Sequence, residues 1–204
     1  MNVHKSCAAT QSPRAEAQRE RILCAAQKCF IEHGFHAASM ANIAEAARMS
    51  AGLMYRYFEN KSAIVLAIIE RQLREGRDQI ARMHAPSELA EHLLVVFSRL
   101  QARDPGAMSA ALYLEMSAQA TRDPQIAAAL HTFDERIRAD FQSWMSRDHA
   151  HGGLGLPPES ASSRAFLLQC FIQGMVVGVA RQPDLDPAML REAIEGVVGR
   201  LLSP

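Results

Sequence analysis

At 204 residues, 49% hydrophobic but only 6% aromatic, the chain is long enough for one or two domains and has the makings of an aliphatic, methionine-rich helical core. Its 22 Lys and Arg balance 22 Asp and Glu overall, yet residues 1–61 hold eight cations against five anions, which leaves 14 against 17 in the rest. No run approaches the roughly 18 apolar residues of a membrane helix, and the start of the chain lacks the apolar middle of a signal peptide, so a cytoplasmic protein with a mildly basic N-terminal part is expected.

Residues 1–13 are polar, end in Ser-Pro and show no periodicity, so a flexible arm is expected, read first as a solvated tail and, as the alternative, as an arm whose Lys5 and Arg14 reach a minor groove. Helical spacing then begins. Ile22, Ala26, Cys29 and Phe30 share one face of a helix over residues 14–33, Gly34 is suited to the left-handed conformation after its end, and Phe35 plugs the core beyond. Ser39 is a favoured N-cap for a short helix that buries Met40, Ile43, Ala44 and Ala47. The connection Ala47-Arg48-Met49 leads to a second cap, Ser50, and a helix over residues 51–58 whose apolar edge is Met54, Tyr55 and Phe58. Two helices this short cannot stand alone, so residues 22–31 must pack on them to make a three-helix core.

Ser39, Ile43-Ala44, Ala46-Ala47, Ser50, Gly52, Met54-Tyr55, Tyr57-Phe58 and Lys61 together resemble the DNA-binding signature of the TetR family of transcriptional repressors, continuously over about residues 21–66. The resemblance implies an all-α homodimer. Residues 14–60 would form a helix-turn-helix domain that binds operator DNA, and residues 61–204 a larger domain that binds a small effector and dimerises. By alignment Ala41, Asn42, Ala51, Gly52 and Leu53 would face base edges with Arg56 nearby, while Tyr55, Tyr57 and Lys61 would contact phosphates. Ala51 and Leu53 suit thymine methyl groups, and Asn42 or Arg56 the polar contacts. The helix starts at Ser39, Ser50 and Lys61 carry no acid in their first two positions, where acids are otherwise favoured, and so suit an anionic partner. Arg48 stands where the family usually has Gly, at a position that often needs a positive φ, so either the turn differs or Arg48 bears strain.

Beyond the head, Asn60 is placed to cap a long helix over residues 61–83, burying Ile64, Leu66, Ala67, Ile68 and Leu73 while Arg71, Arg74, Glu75 and Arg77 line another side. This is the only long element expected to touch both head and body. Ser87 reopens a helix to about residue 101, and Asp104-Pro105-Gly106 breaks the chain. Residues 107–121 are helical and almost wholly apolar apart from Glu115, so burial on more than one side is expected. Asp123-Pro124 starts a helix bearing Leu130, Phe133, Ile137, Phe141, Trp144 and Met145. Residues 147–159 combine Gly, Pro and charge and are expected to form the one loop that varies or moves. A helix over residues 160–181 carries Phe166, Leu167, Cys170, Phe171, Gly174, Val177 and Gly178 on a stripe, and one over residues 186–202 offers Met189, Ile194, Val197, Val198 and Leu201. Each glycine inside a helix costs roughly 1 kcal/mol against Ala, which close approach of another helix would offset. In the family this pair builds the dimer's four-helix bundle, so Phe166, Cys170, Gly174, Val177, Gly178, Ile194, Val197, Val198 and Leu201 are the expected interface.

The function classes narrow accordingly. Cys7, Cys24, Cys29 and Cys170 lack CxxC spacing and read as plain thiols. His149 and His151, with His92 and His131 elsewhere, lack a metal-binding framework, and no cofactor is expected. A catalytic fingerprint is missing as well. Leu93, Phe97, Met108, Tyr113, Met116, Phe133, Phe141 and Gln169 are candidates for an effector pocket, although each reads better as core. Glu115 would meet a cationic ligand, cap a neighbour or face solvent. The expected function is a dimeric repressor released from a pseudo-palindromic operator by a small, largely apolar effector. An enzyme, or an architectural DNA-bound protein without an inducer, is the alternative.

Overall fold

The computed structural model describes residues 13–102 and 109–203, and among these the chain is helical throughout, without a strand. Residues 1–12 of the expected arm, with Cys7, and the Asp104-Pro105-Gly106 break and Met108 lie outside the described residues, while Pro13 belongs to the first helix. The helices are α1 (Pro13–Ala37), α2 (Met40–Ala46), α3 (Ala51–Tyr55), α4 (Lys61–Ala81), α5 (Pro86–Gln101), α6 (Ala110–Ala120), α7 (Pro124–Ser146), α8 (Pro158–Arg181) and α9 (Pro187–Leu202).

Local chemistry sets most of these boundaries. Gly34 breaks α1 with φ 76°, a value open to glycine and costly for other residues, and the chain resumes one helical turn that carries Phe35 into the core. Ser39, Ser50, Asn60, Ser109, Asp123 and Asp186 each accept from a backbone amide two or three residues on, so six of the helices begin on a side-chain cap. α5 opens at Pro86, one residue before the expected Ser87, without a side-chain cap on Ala85, and the Glu88 carboxylate accepts from the His84 amide at 2.8 Å. The second helix of the head is shorter than its apolar edge suggests. After Tyr55 the amides of Arg56 and Tyr57 bond three residues back rather than four, and the tightened turn ends α3.

Two apolar cores form. The first joins α1, α2, α3 and the start of α4 to Leu112 and Met116 of α6 and Ile126 of α7. The second joins the end of α4 to α5, the C-terminal half of α7, α8 and α9. α7 belongs to both: Phe133 packs on the first, Ile137 on the second, and Asp134 stands where the helix passes from one to the other.

The loop expected to move is instead packed. Leu154 and Leu156 are buried in the second core, the Trp144 indole donates to the Gly152 carbonyl at 3.2 Å, and the Gly155 and Leu156 amides donate to the carbonyls of Arg147 and Met145. A side chain at residue 153 would start 2.0 Å from the Arg147 carbonyl oxygen, so only Gly fits there. α8 is the one described helix long and apolar enough to cross a membrane, which the sequence reading did not anticipate. Its apolarity comes from two faces. Ala161, Ala165 and Leu168 face the core, while Phe166 and Leu167 are 51% and 54% exposed on the outside.

Candidate nucleic-acid interface

The helix-turn-helix is built on its turn. Ala47 ends α2, and Arg48 takes φ 53°, the only positive φ among the described non-glycine residues. The Arg48 amide then donates to Glu45 O at 2.9 Å and the Met49 amide to Ala44 O at 3.0 Å, the paired closure of a Schellman end. The turn therefore keeps the geometry glycine would give it, and the strain alternative holds. The Arg21 guanidinium secures the strained residue by donating to its carbonyl at 3.2 Å.

This turn presents α3 with its first residues outward. Ala51 and Gly52 are exposed, and an added Cβ at Gly52 would meet nothing within 4 Å. Tyr55 is 56% exposed on the same short helix, Arg56 is exposed and Leu53 half-exposed. α2, α3 and α4 have no acid in their first turns, so three positive helix ends lie on the head uncompensated. This face of the head offers amides, hydroxyls and helix dipoles to its surroundings.

Three expected contact residues have other engagements. The Asn42 side-chain oxygen accepts from the Ser39 amide at 3.0 Å while Ser39 Oγ accepts from the Asn42 amide at 3.1 Å, a reciprocal capping box that engages the side-chain carbonyl of Asn42. Lys61 donates to the carbonyls of Phe35 at 2.7 Å and His36 at 3.1 Å and lies 4.8 Å from the Phe35 ring centre. Its ammonium thus serves the end of α1, and burial lowers its pKa below the ordinary lysine value. Tyr57 is half-buried, its ring packed against the first core.

The sequence reading missed the residues that brace the head. Arg71, expected on a solvent face, is only 8% exposed and joins α4 to α1 through Glu20 and Gln27. Glu115 accepts from the Phe35 amide at 3.3 Å, which settles its role as a cap on a neighbour, and Gln119 meets His36 Nε2 at 2.8 Å. Ser62 donates to Asp123 at 3.0 Å. α6 therefore grips the Phe35–His36 turn directly, and α4 is not the only path between head and body.

Residues 22–68 match the profile described as bacterial regulatory proteins of the tetR family, and residues 86–203 match the BetI-type transcriptional repressor C-terminal profile. The chain belongs to the TetR family. Among its TetR-family relatives, the HTH-type transcriptional regulator UidR of Escherichia coli K12 is 28% identical over 193 residues, 93% of this chain and 95% of UidR. The HTH-type transcriptional repressor AcnR of Corynebacterium efficiens is 32% identical over 111 residues, 54% of either chain. The solved structure of Salmonella enterica GusR superposes with a TM-score of 0.69 at 27% identity, covering 90% of this chain and 96% of GusR. This TetR-family protein is thus a transcriptional regulator with an all-α fold.

The TetR-family body distributes the eight effector candidates unevenly. Leu93, Phe97 and Phe141 are buried in the second core, Met116 in the first, and Phe133 is half-buried against the first. Tyr113 is half-buried, Gln169 is buried with Arg138 reaching its side-chain oxygen at 3.5 Å, and Met108 lies outside the described residues. Two surface hollows, one between α1 and α4 and one of about 400 Å³ between α4 and α7, are lined by none of the eight.

The expected dimer face divides too. Phe166, Cys170 and Gly174 are exposed, and Val177, Gly178, Val197 and Leu201 half-exposed. An added Cβ at Gly174 or Gly178 would meet nothing within 4 Å, so among the described residues no other helix approaches the glycines. Ile194 and Val198 are corrections: both are buried in the second core, because the periodicity of α9 cannot say which apolar face packs on its own chain.

Proposed function

We propose that this TetR-family protein is a cytoplasmic homodimeric repressor that binds a pseudo-palindromic operator and is released from it by a small effector with a largely apolar body. The observation that carries the reading is the outward first turn of α3, with Ser50 as its cap, Gly52 unobstructed, Tyr55 exposed and no acid in that turn. The two α3 helices of a dimer would enter successive major grooves ~34 Å apart. Exposed Phe166, Leu167 and Met189 with the unfilled glycines of α8 support a second copy of the chain as the partner of that face. The effector acts by binding one spacing of the heads better than the other, and coupling of about 1–3 kcal/mol weakens the operator complex roughly five- to 150-fold.

The test is anisotropy on a DNA site selected from a random pool by the purified protein. Tyr55→Phe should weaken binding to all sequences alike, whereas Leu53→Ala should change the preferred sequence. Lys61→Ala should weaken every sequence and flatten the salt dependence by about one phosphate if its ammonium leaves Phe35 for DNA. A selected site without two-fold symmetry, or full affinity in Tyr55→Phe and Leu53→Ala together, would remove α3 from the interface.

A further inference from the structure

Arginine is an unusual residue for the strained position of the helix-turn-helix. At φ 53° glycine fits without steric cost, and asparagine and aspartate are the side chains that tolerate the region best. The turn closes through the amides of Arg48 and Met49, so no bond of the Arg48 side chain holds it shut. The Arg48 guanidinium is exposed and, among the described residues, pairs with no carboxylate; Glu45 meets this residue only through a backbone carbonyl. A second exposed residue, Arg21, donates to the Arg48 carbonyl at 3.2 Å, so two cationic residues meet at the turn without a carboxylate of the chain to balance them. Residues 39–60 contain just two cations, Arg48 and Arg56, one on each side of α3. The next along the chain, Lys61, is committed to the carbonyls of Phe35 and His36.

We infer that Arg48 is a phosphate contact of the DNA interface, that Arg21 positions it, and that the strained turn carries an arginine for the sake of this contact. The inference rests on the DNA-binding reading above. Backbone strain concentrates where function demands a particular residue, and local rules of stability are broken mainly at such places. Stability alone favours glycine at this angle. A cation just past the end of α2 also meets the negative end of that helix, but Ala46, exposed in its last turn and free of strain, would give a cation that role without the positive φ. A guanidinium offers a planar fork of donors that matches two phosphate oxygens at once. Arg48 precedes the Ser50 cap by two residues, so a phosphate held there fixes how α3 is set against the duplex without reading any base. Arg21 ties this turn to α1 through the Arg48 carbonyl and so keeps the side chain from drifting with the loop.

The test is anisotropy with the full-length protein on its selected site and on an unrelated duplex of equal length, each over a salt series. Arg48→Gly and Arg48→Asn remove the cation but keep a residue that accepts the angle of the turn. Both should bind either duplex about tenfold more weakly at low salt, and the log–log salt slope should be shallower by about 0.9, the share of one phosphate. Arg48→Lys should recover the slope and part of the affinity. Arg21→Gln should weaken the wild type but weaken Arg48→Gly much less, because it acts through Arg48. Melting curves, with Arg48→Gly at or above the wild type, separate weaker binding from unfolding. An unchanged slope in both the Gly and the Asn variant overturns the contact, and if Tyr55→Phe still weakens binding in the same series, the reading of α3 stands without it. Full affinity in the Arg48 variants and in Tyr55→Phe alike overturns both. An equal loss from Arg21→Gln in the two backgrounds overturns its positioning role.

Discussion

Arg48 shows how much a single backbone angle decides. At φ 53° it holds a conformation that costs an L-residue about 1–2 kcal/mol, whereas glycine there loses only about 0.5–1 kcal/mol of extra chain entropy. The exposed guanidinium is not what closes the turn; the amides and carbonyls are. Arg48→Gly should therefore stabilise the protein by about 0.5–1 kcal/mol and raise the melting temperature by ~1–4 °C, and a lowered melting temperature would show that the side chain, not the angle, governs the turn. His92 offers a second measurement. Burial holds its imidazole below 6.5, so the folded protein resists the proton that the unfolded chain accepts. The stability this contributes is present above pH ~6.5 and is lost as the pH falls from there through the depressed folded value. Asp134, whose carboxyl is raised, acts in the opposite sense, so the difference between wild type and His92→Gln in urea titrations isolates the histidine. The variant should lose less stability than the wild type between pH ~7 and 5.

Among the elements, α6 is the one whose role the apolar pattern conceals. Its lone acid is conspicuous in the sequence, yet the partner is a backbone amide 80 residues away that no periodicity announces. Arg71 was illegible for a related reason. It falls on the polar stripe of α4, and only the approach of Glu20 and Gln27 from α1 turns that stripe inward. Short-range chemistry, by contrast, was readable. Ser39, Ser50, Asn60 and Asp123 cap helices because the signal lies within three residues, and the three-helix head follows from Ile22, Phe30, Ile43 and Met54 at helical spacing. The capping partnership of Asn42 was hidden because Glu or Gln, not Asn, is the usual partner three residues after a serine cap. Removing the grip of α6 tests its importance. Glu115→Ala should destabilise the protein by ~1 kcal/mol and speed hydrogen exchange at the Phe35 amide. Combined with Gln119→Ala, the cost should depart from the sum by more than ~0.5 kcal/mol, since both residues hold one turn; strict additivity would make them independent.

In the whole molecule, the split of α9 into an inner and an outer face gives the dimer a clean test. Gly174→Leu or Val197→Asp should yield a folded monomer in sedimentation at micromolar concentration, whereas Ile194→Asp, which buries a charge in the protomer's own core, should unfold the chain. A persistent dimer in both surface variants would place the interface elsewhere. The packing of Trp144 has a further, spectroscopic use. It is the sole tryptophan of the chain, wholly buried in the second core and tied to the Gly152 carbonyl.

 Its emission therefore reports the second core alone, blue while the body is packed and silent about the head. Circular dichroism, with α1 to α4 contributing heavily, sees both. The two readouts will coincide on heating only if the cores melt together across Asp134. If they separate, the fluorescence curve dates the loss of the body while the ellipticity curve still records the head.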